Sequence, residues 1–371
     1  MKALRTPICD LLGIRYPIVQ TGMGWVAGAR LTAATSAAGG LGILASATMT
    51  LDQLQTAVRD VKQRTSAPFG VNLRTDQDDV GQRVDLLIGE KVKVASFAQA
   101  PSKDIIKRLK AAGIVTMPTI GAKRHAEKVA EWGVDAVIAQ GHEGGGHTGP
   151  VPTSLLLPQV TRAVKIPVLG AGGFFDGRGL VAALAYGASG IAMGTRFLLT
   201  KESTVPDAVK KIYIETPVTG TVVTKSIDGH PQRVIKTPFV ESLEGSTVVS
   251  GLFRAVLHAW RFRSLTQTSM WSLLREGLAM KKSQELSWSQ MAMAANAPMM
   301  TRASMVEGKP EVGILPTGQG VGVIEELPTV AELVERIMAE AEATLADLAK
   351  LTAPAAYTSG SHASVAANGG G

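Results

Sequence analysis

The chain has 371 residues, of which 45% are hydrophobic and 19% charged, and its formal net charge is +7. This composition excludes a disordered protein and is typical of a globular α/β chain with a large core. Cys9 is the only cysteine, so an intrachain disulfide is excluded and a reducing, cytoplasmic compartment is predicted. The apolar runs are too short for a membrane span, and the first residues lack the apolar segment of a secretory signal, so we expect neither.

Short apolar or β-branched runs alternate with longer amphipathic stretches over the first two hundred residues. The predicted strands are residues 17–22, 41–46, 69–73, 92–97, 115–120, 136–140, 167–171 and 190–194. Helical patterns between them include residues 51–64, 102–112, 123–132, 153–164 and 179–186. Eight strand–helix units predict an α/β fold, a (β/α)8 TIM barrel, rather than an open doubly wound sheet. In such barrels catalysis takes place at the carboxyl ends of the strands.

The alternation ends after Thr200. Residues 205–214 are predicted to be helical, residues 219–240 to form short strands or loops, and residues 252–295 to be rich in helix, Met and Trp. Such Met- and Trp-rich sequence suits either packing between helices or an adaptable lid over the barrel mouth. The long helical pattern at 330–351 is predicted to be the last barrel helix. We therefore predict a barrel from residues 1–200 and 318–351, a mainly helical substrate-capping insertion at 201–317, and a disordered tail at 352–371.

The positive net charge raises the question of a nucleic-acid partner. Aromatic residues make up only 5% of the chain and no nucleic-acid-binding module is recognisable, so we expect no such partner. The densest basic cluster lies in the insertion and contains Arg254, His258, Arg261, Arg263, Arg275, Lys281 and Lys282. It suits a small polyanionic substrate.

The segment QGHEGGGHTG, residues 140–149, begins where the sixth predicted strand ends. Its His142-Glu143 pair resembles the start of the zinc motif H-E-x-x-H, in which two histidines four residues apart share one helix face. Here His142 and His147 are five residues apart, about 140° round a helix. Three consecutive glycines also cost about 1 kcal/mol each in a helix. We therefore expect no metal at this segment.

Glycine-rich segments follow the last two predicted strands, LGAGGFFDG at residues 169–177 and AMGTRF at residues 192–197. The loops after these strands are the usual phosphate site of a TIM barrel, and glycine lets the backbone approach a phosphate closely. Together the two segments predict a phosphate-binding site. No GxGxxG pattern follows the first strand, which excludes a Rossmann dinucleotide site.

Five segments resemble, in the same order, the motifs of the nitronate monooxygenase, or 2-nitropropane dioxygenase-like, family of FMN barrels. They are GMGWVAG, FGVNL, QGHEGGGHTG, GAGGFFDGRG and MGTRF, and the resemblance runs from about residue 6 to residue 351. It implies one FMN per chain, held by Gly22, Met23, Asn72, Gln140, Gly145, Gly173, Ala192, Met193, Gly194 and Thr195. His147 matches the family's catalytic histidine, and an imidazole is suited to accept a proton at neutral pH.

Three other polar residues of these motifs have predicted roles. His142 is interpreted as either structural or substrate-facing. Glu143 is expected to orient the loop, and Arg196 is interpreted as a salt-bridge residue.

A narrower resemblance is carried by GWVAGARL, LGILASATMTLD, GGFFDGRGL and MGTRFLLTKESTVPDAVK. These segments are similar to an actinobacterial branch linked to steroid-ring degradation, whose members resemble flavin dehydrogenases of coenzyme A thioesters. The resemblance implies a CoA thioester substrate, whose phosphates Arg261 and Arg263 are expected to bind.

Three alternatives stay open: a nitronate monooxygenase that uses O2, an NAD(P)H-dependent enoyl-thioester reductase, and a non-catalytic FMN- or phosphate-binding module. The ring system, the electron acceptor and a homo-oligomeric state are also left open.

Overall fold

The computed structural model describes residues 4–98, 100–244 and 288–351. Eight parallel strands close into a barrel in the order β1-β2-β3-β4-β5-β6-β8-β9. These strands are β1 (Ile18–Gln20), β2 (Leu41–Ala45), β3 (Phe69–Leu73), β4 (Val94–Phe97), β5 (Val115–Ile120), β6 (Val137–Gln140), β8 (Val168–Ala171) and β9 (Gly190–Met193). The predicted TIM barrel is confirmed. Strands β3 and β5 have the predicted bounds, and the other six are one to three residues shorter than predicted.

Helices surround the barrel and continue into the insertion. They are α1 (Pro7–Leu12), α2 (Ala29–Ala37), α3 (Leu51–Arg64), α4 (Val80–Gly89), α5 (Lys103–Ala111), α6 (Lys123–Glu131), α7 (Thr153–Ala163), α8 (Gly177–Ala185), α9 (Thr195–Leu198), α10 (Asp207–Glu215), α11 (Pro238–Glu244), α12 (Trp288–Met305) and α13 (Val330–Leu351). Two short 3-10 helices cover Pro310–Val312 and Gln319–Val323. Helix α13 packs against both α8 and α2, so it completes the ring of barrel helices as predicted.

The barrel interior is filled by apolar side chains that alternate along the strands. Val19, Ile43 and Met117 are fully buried there, and α1 closes the amino end with Ile8 and Leu12. A filled interior is a packed core rather than a pore, so ligands reach this fold at its carboxyl end. The part of the chain that the structure describes contains no helix long and apolar enough to cross a membrane.

The insertion contacts the barrel mouth through a small antiparallel sheet. Its strand order is β10-β11-β7, in which β10 (Thr221–Thr224) and β11 (Gln232–Ile235) belong to the insertion. Strand β7 (Gly146–His147) lies within the QGHEGGGHTG segment of the barrel. The prediction of short strands or loops at residues 219–240 is confirmed, and β11 pairs with the strand that contains the predicted catalytic His147.

A second contact joins the insertion to the loop after β1. The indole Nε1 of Trp25 donates to the carbonyl oxygen of Pro298 in α12 at 2.9 Å, and the Arg302 guanidinium lies over the indole ring at 5.6 Å. Of the predicted helix-rich segment at 252–295, residues 288–295 are helical in α12. The rest of that segment, the basic cluster with Arg261 and Arg263, and the predicted tail at 352–371 lie outside the described residues.

Candidate active site

The QGHEGGGHTG segment leaves the barrel where β6 ends at Gln140 and folds back over the mouth. The amide Nε2 of Gln140 donates to the carbonyl oxygen of His147 at 2.7 Å, which closes the loop. A Cβ atom on Gly144 would lie 2.6 Å from that same Nε2, and one on Gly145 would lie 2.5 Å from the backbone nitrogen of Gly318. Real Cβ atoms do not approach so closely, so a side chain at residue 144 would displace the Gln140 side chain, and one at residue 145 would displace backbone.

Glu143 joins this loop to the following helix. Its Oε2 accepts hydrogen bonds from the backbone N–H of Thr153 at 2.9 Å and from the Thr153 hydroxyl at 2.7 Å. Thr153 is the first residue of α7, so the carboxylate satisfies an N–H that has no partner inside the helix. The expected loop-orienting role of Glu143 is confirmed.

His142 also makes its contacts inside the loop. Its Nδ1 lies 2.9 Å from the carbonyl oxygen of Gly149, and its own carbonyl oxygen accepts from Arg233 of β11 at 3.1 Å. These bonds support the structural interpretation of His142 rather than the substrate-facing one. They also give Arg233, a buried residue that sequence reasoning missed, a role in fixing the loop.

His147 stands at the exposed end of the same loop, and its side chain is 64% exposed. Its Nε2 lies 2.8 Å from Oδ2 of Asp228, whose side chain is only 12% exposed. Burial alone raises the pKa of Asp228, but its hydrogen bonds with His147, Gln232 and the backbone N–H of His230 hold the pKa below its usual value. The carboxylate is therefore charged at neutral pH. The arrangement places an exposed imidazole beside a buried carboxylate, a pairing that general base catalysis uses.

Asp228 is a candidate functional residue that the sequence did not indicate. It lies in the turn between β10 and β11, 81 residues from His147 along the chain. Only the pairing of β11 with β7, which sets Gln232 opposite His147, brings the two side chains together.

The predicted phosphate side of the site lies where β8 and β9 end. Gly172 and Gly173 follow β8 with φ angles of +96° and +79°, a backbone conformation that favours glycine. After β9, the hydroxyl of Thr195 accepts from the backbone N–H of Gly318 at 2.8 Å. The segment around Gly318 and Gly320, which leads from the insertion back to the barrel, thus contacts the ends of β8 and β9. At Gly145 it also contacts the QGHEGGGHTG segment.

Two of the predicted contacts from the other side of the mouth also converge. A Cβ atom on Gly22 would lie 2.5 Å from Cβ of Asn72, so the loop after β1 lies directly against β3. A Cβ on Gly194 would lie 3.4 Å from Sδ of Met23.

Ala192 and Met193 of β9, which were also predicted to contact the cofactor, are placed differently. The side chains of Ala192 and Met193 are buried in the core, so those two residues face a ligand only through the main chain.

The interpretation of Arg196 as a salt-bridge residue is wrong. One guanidinium nitrogen donates to the carbonyl oxygens of Leu199 and Glu326, each at 3.1 Å, and the side chain is buried. Burial lowers the pKa of Arg196 to about 10, opposed by the charge of Glu326. Because its hydrogen bonds go to main-chain oxygens, this arginine holds the chain after β9 in place.

The ranges that the structure describes contain no group of three or more His, Cys, Asp or Glu residues placed to hold a metal ion. The two histidines of the loop point to different partners, Gly149 and Asp228.

A model of the family described as nitronate monooxygenase matches residues 5–83 and 80–340. The chain belongs to the nitronate monooxygenase family. It is therefore an oxidoreductase, and because the family consists of flavoproteins its cofactor is a flavin. A "Probable nitronate monooxygenase" of Staphylococcus aureus is 33% identical over 282 residues, which cover 64% of this chain and 79% of that one.

Two actinobacterial relatives of the family are much more similar to this chain. One, from Mycobacterium tuberculosis, is 58% identical over 341 residues, which cover 91% of this chain and 96% of that one. The other, from Rhodococcus jostii, is 56% identical, with 92% and 97% covered. Both are named (3aS,4S,5R,7aS)-5-hydroxy-7a-methyl-1-oxo-octahydro-1H-indene-4-carboxyl-CoA dehydrogenase.

Solved structures of family members superpose closely. FabK from Thermotoga maritima has a TM-score of 0.78 and 35% identity, with 94% of this chain and 99% of that chain covered. A nitroalkane oxidase from Streptomyces ansochromogenes has a TM-score of 0.74 and 28% identity, with 92% and 99% covered. The similarity therefore extends over the barrel and the described part of the insertion.

The residues at the mouth fit a flavin. Gly172 and Gly173 follow β8 and Gly194 follows β9, and glycine lets the backbone approach a phosphate closely at the carboxyl end of a barrel. The exposed imidazole of His147 lies at the same end of the barrel. The geometry thus brings the predicted phosphate-binding glycines and the exposed imidazole to the same end of the barrel.

Proposed function

We propose that this protein is an FMN-dependent dehydrogenase of a coenzyme A thioester whose acyl group is a fused ring system from steroid degradation. The observation that carries the proposal is the exposed His147 bonded to the buried Asp228 at the barrel mouth. The substrate class is supported by the two actinobacterial relatives, which match over more than nine-tenths of this chain and are named for a ring-derived carboxyl-CoA.

The proposed reaction removes a proton from the carbon next to the thioester and a hydride from the neighbouring carbon. The thioester carbonyl makes the α-proton acidic, and His147 accepts it. The bound flavin supplies a two-electron acceptor for the hydride. Gly173, Gly194 and Thr195 would hold its phosphate, while Asn72 and Gln140 would contact the flavin itself.

The insertion at 201–317 is proposed to cap the substrate. Its strand β11 pairs with β7, and Pro298 of its helix α12 accepts a hydrogen bond from Trp25 of the barrel, so these described parts lie beside the mouth. We further propose that Arg261 and Arg263 bind phosphate groups of coenzyme A, because guanidinium groups form paired hydrogen bonds with phosphate oxygens.

Anaerobic bleaching of the flavin absorbance tests the proposed function. Purified protein is mixed with a saturated ring-derived acyl-CoA, with an alkyl nitronate, or with NADPH, and we expect rapid bleaching by the acyl-CoA alone. Bleaching by the nitronate alone would overturn the proposal in favour of nitronate oxidation. Bleaching by NADPH alone would favour the NAD(P)H-dependent enoyl-thioester reductase that the sequence left open.

We predict that the cofactor is FMN rather than FAD. The glycine-rich turns at Gly173 and Gly194 form one phosphate site, and no second glycine fingerprint for a pyrophosphate is present in the sequence. Heat denaturation followed by chromatography of the released flavin should give FMN, about one per chain. Recovery of FAD, or of a mixture, would contradict the prediction.

A further inference from the structure

Asp228 and His147 form a bonded pair in which the two partners differ sharply in exposure. The Asp228 side chain is 12% exposed and the His147 side chain 64%, and Oδ2 of the former lies 2.8 Å from Nε2 of the latter. The second carboxylate oxygen, Oδ1, accepts the backbone N–H of His230 at 3.0 Å. Asp228 is thus held from both sides, and among the described residues the His147 ring is bonded at one nitrogen, Nε2.

We propose that Asp228 is a positioning residue that keeps the proton of neutral His147 on Nε2 and leaves Nδ1 as the atom that accepts the substrate proton. This inference rests on the proposed role of His147 as the base. An ionised carboxylate can only accept a hydrogen bond, and a neutral imidazole carries its proton on one nitrogen. Nε2 therefore donates to Asp228, and the lone pair that is free lies on Nδ1.

The surroundings of the pair support a fixed orientation. Strand pairing sets Gln232 opposite His147 and Arg233 opposite Gly146, which fixes the backbone on both sides. The Arg233 guanidinium is occupied by the carbonyl oxygen of His142 and the hydroxyl of Thr221. The other titratable ring nearby, that of His230, meets the His147 ring edge to face with centroids 5.9 Å apart. After proton transfer the imidazolium still faces the Asp228 carboxylate, which stabilises its charge.

Replacing Asp228 by asparagine or by alanine distinguishes two roles for its carboxylate. It could set the tautomer of His147, or it could only hold the His147 ring in place. In Asp228→Asn, the amide oxygen takes the place of Oδ1, where the His230 N–H requires an acceptor, and the amide NH2 then faces Nε2. Nε2 must accept, so the proton moves to Nδ1 and the proposed base is blocked. Asp228→Ala imposes no tautomer. We therefore expect flavin reduction by the acyl-CoA to slow ~10²–10⁴-fold in the Asn variant and about 10-fold in the Ala variant.

Nitrogen-15 NMR of histidine-labelled holoenzyme provides a readout that does not depend on activity. The His147 signal is assigned by its loss in His147→Gln. We expect protonated Nε2 in the wild type and protonated Nδ1 in Asp228→Asn, with flavin content and melting temperature close to wild type. Since this measurement needs no substrate, it tests the orientation even if the proposed reaction is wrong.

Two results would overturn the inference. One is an Asn variant whose His147 keeps protonated Nε2, or that reacts faster than the Ala variant. The other concerns His230→Gln, which removes the second imidazole but keeps the backbone N–H that binds Asp228. We expect this substitution to slow reduction much less than Asp228→Asn, and an equal effect would assign the orientation of His147 to the ring of His230 instead.

Discussion

Replacing His147 by alanine should slow flavin reduction by the acyl-CoA ~10²–10⁴-fold, the usual contribution of a general base, while the flavin stays bound. The physical reason is that proton transfer and the positioning of the loop depend on different chemical groups. Proton transfer needs the exposed imidazole, whereas the loop itself is held by main-chain contacts such as the bond from Gln140 to the His147 carbonyl oxygen, which alanine keeps. Anaerobic stopped-flow measurement of the rate, with the flavin content from absorbance, checks both parts.

His142→Ala is the matched control for this substitution. His142 lies in the same loop, but its ring bonds the carbonyl oxygen of Gly149. Its loss removes one hydrogen bond, worth about 1 kcal/mol of stability, and should lower the melting temperature more than the reduction rate. A His147→Ala protein without flavin would make that histidine part of the cofactor site. A variant with both flavin and normal reduction would show that another group is the base.

Much of the fold follows from local sequence patterns. Each strand and each helix has its own hydrophobic periodicity, which can be read from its own residues alone. The alternation of the two patterns predicted all eight barrel strands. Helix α3 was predicted to its end residues because both ends have local signals: Thr50 and Gln53 form a capping box, and basic side chains occupy the last turn. Glycines at the ends of β8 and β9 likewise indicated an anion site, because glycine lets the backbone approach a phosphate closely.

Features that depend on contacts between distant segments were not predictable in this way. Strand β7 has only two residues and exists because β11 pairs with it, and Asp228 lies beside His147 for the same reason. The salt-bridge interpretation of Arg196 was wrong because a charged side chain next to a loop suggests an ion pair. Its actual partners, the carbonyl oxygens of Leu199 and Glu326, are set by how the chain turns after β9.

The same dependence on distant contacts makes Gly145 a sensitive position. Gly145 does not have a positive φ angle that would itself favour glycine. However, the segment around Thr317 and Gly318 lies directly against it. A Cβ atom there would lie 2.5 Å from both the backbone nitrogen of Gly318 and the carbonyl carbon of Thr317. Backbone atoms cannot rotate away as a side chain can, so either the catalytic loop or the returning segment has to move.

Gly145→Ala should therefore weaken flavin binding and slow its reduction by the acyl-CoA ~10²-fold, the cost of misplacing a reacting group by about 1 Å. Gly146→Ala is the matched control, because a Cβ at that position meets open space and only the left-handed φ of +64° opposes it. That conformation costs roughly 1–2 kcal/mol, so Gly146→Ala should lose stability while keeping most of its reduction rate. Flavin titration of the apoprotein, thermal melts and stopped-flow rates distinguish the two. If Gly145→Ala bound and reduced flavin like the wild type, the contact with Thr317 and Gly318 would not position the loop, and the place of His147 would depend on β11 alone.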